Sequence, residues 1–282
     1  MDLICIGDNV ADYYLERGEL YPGGSAYNVA VLARRYGMKT AYMGPMGNDP
    51  AGRYLYQVLS EEGVDISRVE IKEGPNAFSR VRIESGERII FGVDKGVYRE
   101  IVLNREDLKY VKGFDLLHTT TYSFTEDYLS IFKEMGLMVS FDYSFRCNRD
   151  YIERTAPNID FAFFSASGIR ENYGSDQDYS FFMKEVNGLG PAFVFITLGE
   201  EGVLLLHQDQ LYYQPAFKVE VVDTLGAGDA FIAMFLSCYS KGLGITTSME
   251  KASKVAGEVC TYFGAIGRGR AVRCDKRADI SK

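Results

Sequence analysis

The chain has 282 residues and an apolar fraction of 46%, enough for a sizeable core within one large domain or one and a half. Its formal net charge of −8 argues against nucleic acid and anionic membrane as partners, because both need a basic face. The five cysteines, Cys5, Cys147, Cys238, Cys260 and Cys274, are odd in number and contain no CxxC pair, so disulfides and a zinc site are not expected and a reducing cytoplasm is the natural setting.

In chain order, Leu3-Ile4-Cys5-Ile6 reads as a buried strand closed by Gly7. An acid at position 2 and the shortness of this run do not fit a secretory signal. Ser25 to Tyr36 places Val29, Leu32, Ala33 and Tyr36 on one helical face, and Gly37 stops it. Ala41-Tyr42-Met43 is a further short strand. Asp49-Pro50 caps a helix carrying Leu55, Val58 and Leu59. Later strands are expected at Leu116-Leu117, Val139-Ser140-Phe141, 161–164, 193–196, 203–206 and 219–222, with closing helices at 230–241 and 249–263. This alternation predicts an α/β fold, a mainly parallel sheet with helices on both faces. One region departs from it. Residues 78–84 alternate with period two, Ser85-Gly86-Glu87 turns, and Arg88-Ile89-Ile90-Phe91 returns, which predicts a hairpin inserted as a lid at about 76–98. Residues 12–21 offer a second lid strand. The tail from Arg268 is charged and expected to be loose. No apolar run approaches the ~20 residues of a membrane helix. His118 and His207, the two histidines, are expected at the surface or at a pocket edge, too few for a His-ligated metal or a Ser-His-Asp triad.

The stretch Asp223-Thr224-Leu225-Gly226-Ala227-Gly228-Asp229 carries the chemistry. Small residues allow a sharp turn whose N–H groups approach an anion, and the apolar-periodic helix that follows aims its positive end at the same point. A carboxylate at position 229 would repel a phosphate, so it makes sense as a base that takes a proton from an attacking hydroxyl. The glycine spacing does not fit a dinucleotide fingerprint, since Phe231 stands where a glycine is needed, and no GK[ST] loop exists. A nucleotide-dependent oxidoreductase is therefore disfavoured. Gly23-Gly24 leads into a helix with Asn28 in its first turn, a side chain that both gives and accepts hydrogen bonds.

Together with Met43-Gly44-Pro45-Met46-Gly47-Asn48-Asp49-Pro50-Ala51-Gly52, these motifs resemble the PfkB family of carbohydrate kinases, from Gly7 to about Gly267. The resemblance implies a ribokinase-like three-layer sandwich with a small β lid, spanning the chain as a single domain. It implies ATP as phosphoryl donor and a small-molecule sugar as acceptor. Asp229 would be the catalytic base, and Gly226, Ala227 and Gly228 the anion hole. Thr197, Gly199 and Gly202 would hold the nucleotide, with residues 262–266 near adenine. Gly24, Asn28, Asp229, Arg146 and Asp12, the last as the acid ending the first strand, would meet the sugar. Asp223, with the Leu225 backbone, would bind a monovalent cation, usually K+. Glu171 would serve Mg2+, although Gly168 stands where the family carries asparagine. Gly7 to Tyr13 and Ser165-Ala166-Ser167 are similar to the fructosamine kinases. Residues 141–146 resemble instead the Asp-x-Asn-x-Arg stretch of 2-keto-3-deoxygluconate kinases and fructokinases, with Ser144 replacing asparagine. A non-catalytic sugar or nucleotide sensor on the same fold is the reading from another class. Pairing of lid strands across a homodimer is a further implication.

Overall fold

The computed structural model describes residues 1–84 and 87–272. Its largest sheet has eight strands in the order Gln210–Gln214, Val203–His207, Phe193–Thr197, Phe161–Ser165, Met138–Ser144, Leu116–Thr120, Leu3–Ile6 and Thr40–Met43. The last six run parallel, and the first two are added antiparallel. The central strands are mostly apolar because both faces are covered, whereas the edge strand Gln210–Gln214 is largely exposed. Phe161, Phe163, Phe193 and Phe195 join one cluster with helices Ser25–Arg35, Pro50–Glu61, Ala227–Ser240 and Ile245–Val259. Their sequence neighbours Ala162, Phe164, Val194 and Ile196 join the other, with helices such as Leu129–Glu134, Arg149–Thr155, Ala166–Tyr173 and Tyr179–Leu189. Stacked rings cross the strands at the normal interstrand spacing: Phe161 on Phe193 at 4.6 Å and Phe163 on Phe195 at 4.5 Å.

A second, five-stranded sheet orders Arg270–Ala271, Glu19–Gly23, Val10–Tyr14, Phe78–Glu84 and Glu87–Asp94. The expected hairpin is thus present, joined by two strands from residues 10–23 rather than one. Ser85 and Gly86 of its turn lie outside the described residues, as do Cys274 and the tail beyond Val272. The start of that tail is not loose, because Arg270 and Ala271 pair with Leu20 and Glu19.

Three further expectations are corrected. Residues 219–222 form no strand, and Val221 and Val222 stay exposed. The edge position is taken by Gln210–Gln214, which returns from Val203–His207 through left-handed Gln208 and Asp209. The closing helix runs from Ile245 to Val259, and left-handed Gly264 and Gly267 shape the turn behind it. His118 is wholly buried, not at an edge. Its Nδ1 meets Ser140 Oγ at 2.9 Å, and burial lowers its pKa to about 3.

A buried neutral histidine makes stability depend on pH. The folded pKa lies below the unfolded value near 6.5, so below about pH 6.5 the unfolded chain takes up a proton that the folded chain refuses. His118 then contributes a loss of up to about 1.4 kcal/mol per pH unit. His118→Gln removes this contribution. The stability advantage of wild type over the variant should shrink from about pH 7 to about pH 5.5, read as urea midpoints; a constant difference would contradict the burial of a neutral ring.

Candidate active site

Parallel strands deliver their C-terminal ends to one edge of the sheet, and the groups picked out from the sequence gather there. After strand Leu3–Ile6 the chain turns through Gly7 to Asp8. The Asp8 carboxylate accepts hydrogen bonds from Ser25 N at 2.7 Å, Ala26 N at 3.2 Å and Thr120 Oγ1 at 3.2 Å. It thereby caps helix Ser25–Arg35, whose N-cap Gly24 has no side chain to do so. Burial pushes the Asp8 carboxyl up, against the lowering effect of these bonds.

The two glycines before this helix are required by close approach. Gly24 has φ 97°, and a Cβ there would lie 2.7 Å from both Asn9 Cα and Asp8 O. A Cβ on Gly23 would lie 2.0 Å from Asp12 Oδ2. Asp12 therefore sits against the helix entrance, although not at the end of the first strand. It lies in the middle of Val10–Tyr14 in the smaller sheet, buried, with Ser79 Oγ donating to its Oδ1.

Helix Ala227–Ser240 supplies the other half. Its N-cap Gly226 is left-handed at φ 80°, and a Cβ would come within 2.2 Å of Ala265 Cβ. No side chain caps this helix, so its first turn presents backbone donors and a positive dipole end. Ala227 N reaches Thr224 O at 3.4 Å. Asp229 stands in that first turn. Its Oδ1 accepts from Ser25 Oγ at 2.7 Å, and its Oδ2 accepts from Asn28 Nδ2 at 2.8 Å. The two signature motifs, some two hundred residues apart in the chain, thus close on one carboxylate. Asn28 is almost wholly buried, and its Oδ1 is a buried acceptor without a hydrogen-bond donor among the described residues.

Asp142, near the end of strand Met138–Ser144, completes a set of three acids. Burial first, and the Asp229 charge second, push its pKa up to about 7. The same Asp229 charge adds to burial in raising the Cys5 thiol. Each helix N-terminus typically contributes about 0.3–1 kcal/mol toward an anion, less than one pKa unit, which is too little to keep every carboxyl of this group ionised at neutrality.

Thr197 ends strand Phe193–Thr197 in register with Ser165, and its Oγ1 donates to Phe164 O at 3.3 Å. Gly199 and Gly202 frame the turn that follows. Gly199 has φ 65° with open space beside it, whereas a Cβ on Gly202, at φ 111°, would meet Gln214 O at 2.1 Å. Arg146 and Glu171 lie at the surface and make no hydrogen bond to the group around Asp229. Arg146 is exposed with its guanidinium 5.5 Å above the Tyr151 ring. Glu171 is exposed on helix Ala166–Tyr173 and makes no hydrogen bond or ion pair among the described residues. The absent asparagine at 168 has a steric cause: a Cβ there would lie 2.6 Å from Ser144 O and 2.9 Å from Phe145 Cα. No trio of acids, cysteines or histidines among the described residues forms a metal cage. A lone accessible carboxylate at 171 fits a magnesium ion that arrives on nucleotide phosphates, since magnesium keeps several waters and takes one or two protein carboxylates.

Asp223 is buried, and among the described residues its carboxylate accepts three hydrogen bonds. Leu225 N donates to Oδ1 at 3.0 Å, Gly264 N donates to Oδ2 at 3.0 Å, and Tyr14 Oη also donates to Oδ2. These donors take up three of the carboxylate's roughly four acceptor sites, which leaves little of it for a coordinated potassium ion.

Sequence reasoning did not single out Asp8, Ser25, Asp142 or Tyr14. Ser25 and Asp8 lay inside recognised motifs, and Asp142 sat in a stretch quoted for Arg146. For Tyr14 there was no signal beyond its place in a lid strand. No helix among the described residues is long and apolar enough to cross a membrane.

Residues 1–269 match the pfkB family of carbohydrate kinases. The chain is 38% identical to a fructosamine kinase of Bacillus subtilis over 287 residues, covering all of this chain and 99% of the relative. It is 32% identical to the fructoselysine 6-kinase of Escherichia coli over 263 residues, 93% of this chain and 98% of that protein. The fold matches a ribokinase of Arabidopsis thaliana solved with ribose and ATP, with a TM-score of 0.81, 22% identity and 94% of each chain covered. It also matches an aminoimidazole riboside kinase of Salmonella enterica solved with its riboside and an ATP analogue, with a TM-score of 0.75, 23% identity, and 94% and 95% of the two chains covered. A match over nearly the whole sequence, on a ribokinase-like fold with both signature motifs meeting at Asp229, makes this chain a member of the pfkB family and an ATP-dependent carbohydrate kinase.

Proposed function

We propose that the acceptor is a fructosamine such as fructoselysine, phosphorylated on its 6-hydroxyl. The observation that carries this reading is the 38% identity, end to end, with a fructosamine kinase, supported by the fructoselysine 6-kinases at 32–33%. Fructokinases also share 27–29% identity but over a smaller part of the chain, which ranks an unmodified ketose second.

In this reading the sugar lies between the smaller sheet, acting as a lid, and the C-terminal edge of the large one. Asp12, Gly24 and Asn28 line its hydroxyl side, and Arg146 reaches it from the loop after strand Met138–Ser144. Asp229 receives the proton of the primary hydroxyl. The freed oxygen forms the new P–O bond while the bond to the leaving nucleoside diphosphate breaks and its electron pair departs with that product. Ser25 and Asn28 fix the carboxylate's rotamer, so little reorganisation is needed at the moment of transfer. The amides of Gly226, Ala227 and Gly228 meet the charge that spreads over the equatorial oxygens; losing one such donor costs about 3–4 kcal/mol in comparable sites. Thr197, Gly199 and Gly202 hold the nucleotide. A magnesium ion bound with the phosphates would neutralise their charge, and Glu171 would be the residue to hold it. The exposed Arg146 and Glu171 have room to turn toward bound ligands, which is why neither is committed to a partner in the group around Asp229.

Asp229→Asn keeps an acceptor for one of the two hydrogen bonds and loses the base. Turnover should fall by about 10²–10⁴-fold with sugar affinity largely retained, measured by coupled ATP consumption and by calorimetric titration. Near-normal turnover would remove Asp229 from the role of base.

The raised Asp142 carboxyl predicts a pH effect. Below about pH 7 it is protonated; above that it adds a second negative charge beside Asp229, facing the incoming triphosphate. kcat/KM for ATP should therefore decline through an ionisation near pH 7, and Asp142→Asn should lack that limb. Superimposable profiles for the two proteins would sink this assignment.

Across a panel of fructoselysine, glucoselysine, fructose, ribose and 2-keto-3-deoxygluconate, fructoselysine should give the highest kcat/KM and the largest rise in melting temperature. A clear preference for free fructose would transfer the assignment to fructokinase.

A further inference from the structure

The smaller sheet is tied to the signature turn by a buried bond that the phosphoryl-transfer scheme above does not use. Tyr14, in the sheet strand Val10–Tyr14, is 2% exposed, and its hydroxyl donates to Asp223 Oδ2 at the root of the turn. The ring is locked by edge contacts with Tyr21 at 5.0 Å and Phe263 at 6.0 Å. Arg17, from the same hairpin, lays its guanidinium 3.9 Å over Phe263. Leu225, within the turn itself, packs on the same cluster together with Val81 from the neighbouring strand. Asp223 in turn receives Leu225 N on Oδ1 and Gly264 N on Oδ2. One carboxylate therefore fastens three separate segments: the sheet strand, the signature turn and the turn after the last helix.

We propose that Tyr14 is a positioning residue that holds the Gly226–Gly228 cradle through Asp223, doing with a hydroxyl what the family resemblance would give to a monovalent cation. The chemistry follows from the donor set. A potassium ion requires a shell of oxygens with lone pairs directed at it, whereas Asp223 faces two N–H groups and an O–H. Three of its roughly four acceptor sites are taken by protein donors, which fix its position without a metal. Because Tyr14 belongs to the sheet that would cover the sugar, the same bond couples the placement of that sheet to the geometry of the cradle, and hence substrate enclosure to phosphoryl transfer. The inference rests on the reading of residues 226–228 as the phosphoryl cradle, not on the identity of the sugar.

Two measurements test it. First, wild-type protein is titrated with potassium chloride against tetramethylammonium chloride at constant ionic strength. Its melting temperature should differ between the two salts by less than about 2 °C, and its kcat should not change. A several-fold activation by potassium, or a larger stabilisation specific to that ion, would overturn the proposal by showing that the cation has a site. Second, Tyr14→Phe removes only the hydroxyl and leaves the ring packing. It should lower kcat by about 10- to 100-fold with little change in KM for the sugar, because a small displacement of the cradle is felt in the transition state more than in sugar binding. A folded Tyr14→Phe enzyme with wild-type kcat would equally overturn it. Should that variant fail to fold, the wild-type titration still decides, since it needs no substitution. A different sugar specificity would alter neither outcome, so failure here is separable from failure of the fructosamine assignment.

Discussion

One carboxylate, Asp229, is held between the first turns of two helices. Ser25 and Asn28 come from one helix, and the acid itself comes from the other. The dipole is positive at both helix starts, but Asp8 takes the first N–H groups of Ser25–Arg35, so only Ala227–Ser240 presents uncapped donors. Such a site concentrates positive partial charge in a region with no basic side chain among these contacts. It favours an anion beside the Asp229 carboxylate, with no lysine among these contacts to neutralise that acid.

The arrangement depends on atoms that are missing. Gly23, Gly24 and Gly226 stand where a Cβ would strike Asp12, the Asp8–Asn9 backbone and Ala265 respectively. The two signature turns are drawn in close because nothing projects from their backbones, and Asp8 then caps the helix that Gly24 cannot cap. Gly168 obeys the same logic in a less expected place. The left-handed Ser144 turn presses on it, so a side chain such as asparagine has no space there.

Charge is distributed unevenly among the acids. Asp8 is met by two amides and a hydroxyl, Asp229 by a hydroxyl and an amide, and Asp223 by two amides and a phenol. Asp142 accepts Ser144 N and otherwise faces burial and the Asp229 charge, which is why it is the one pushed to about 7. Hydrogen bonds to Asp223 run outward to the smaller sheet, so that sheet, the Asp223–Asp229 turn and the turn at Gly264 are mechanically joined.

What the sequence determined by itself was set by local chemistry. The parallel sheet followed from apolar runs separated by amphipathic stretches, the hairpin from its period-two alternation, and the turn at Gly226 from small residues ahead of an apolar helix. These signals lie within a few residues of one another, so spacing suffices to read them. The tertiary structure decided whatever depended on partners far apart in the chain. That Asn28 donates to Asp229, that Asp142 feels the Asp229 charge, and that Tyr14 reaches Asp223 are contacts across 87 to 209 positions. Residue type fixes only a side chain's capacity to bond; burial and the neighbour across the fold fix its partner and its charge. For that reason His118 was placed at an edge by its sequence context and lies in the core, and residues 219–222 had strand propensity but pair with no strand, Val222 N donating instead to Cys260 O.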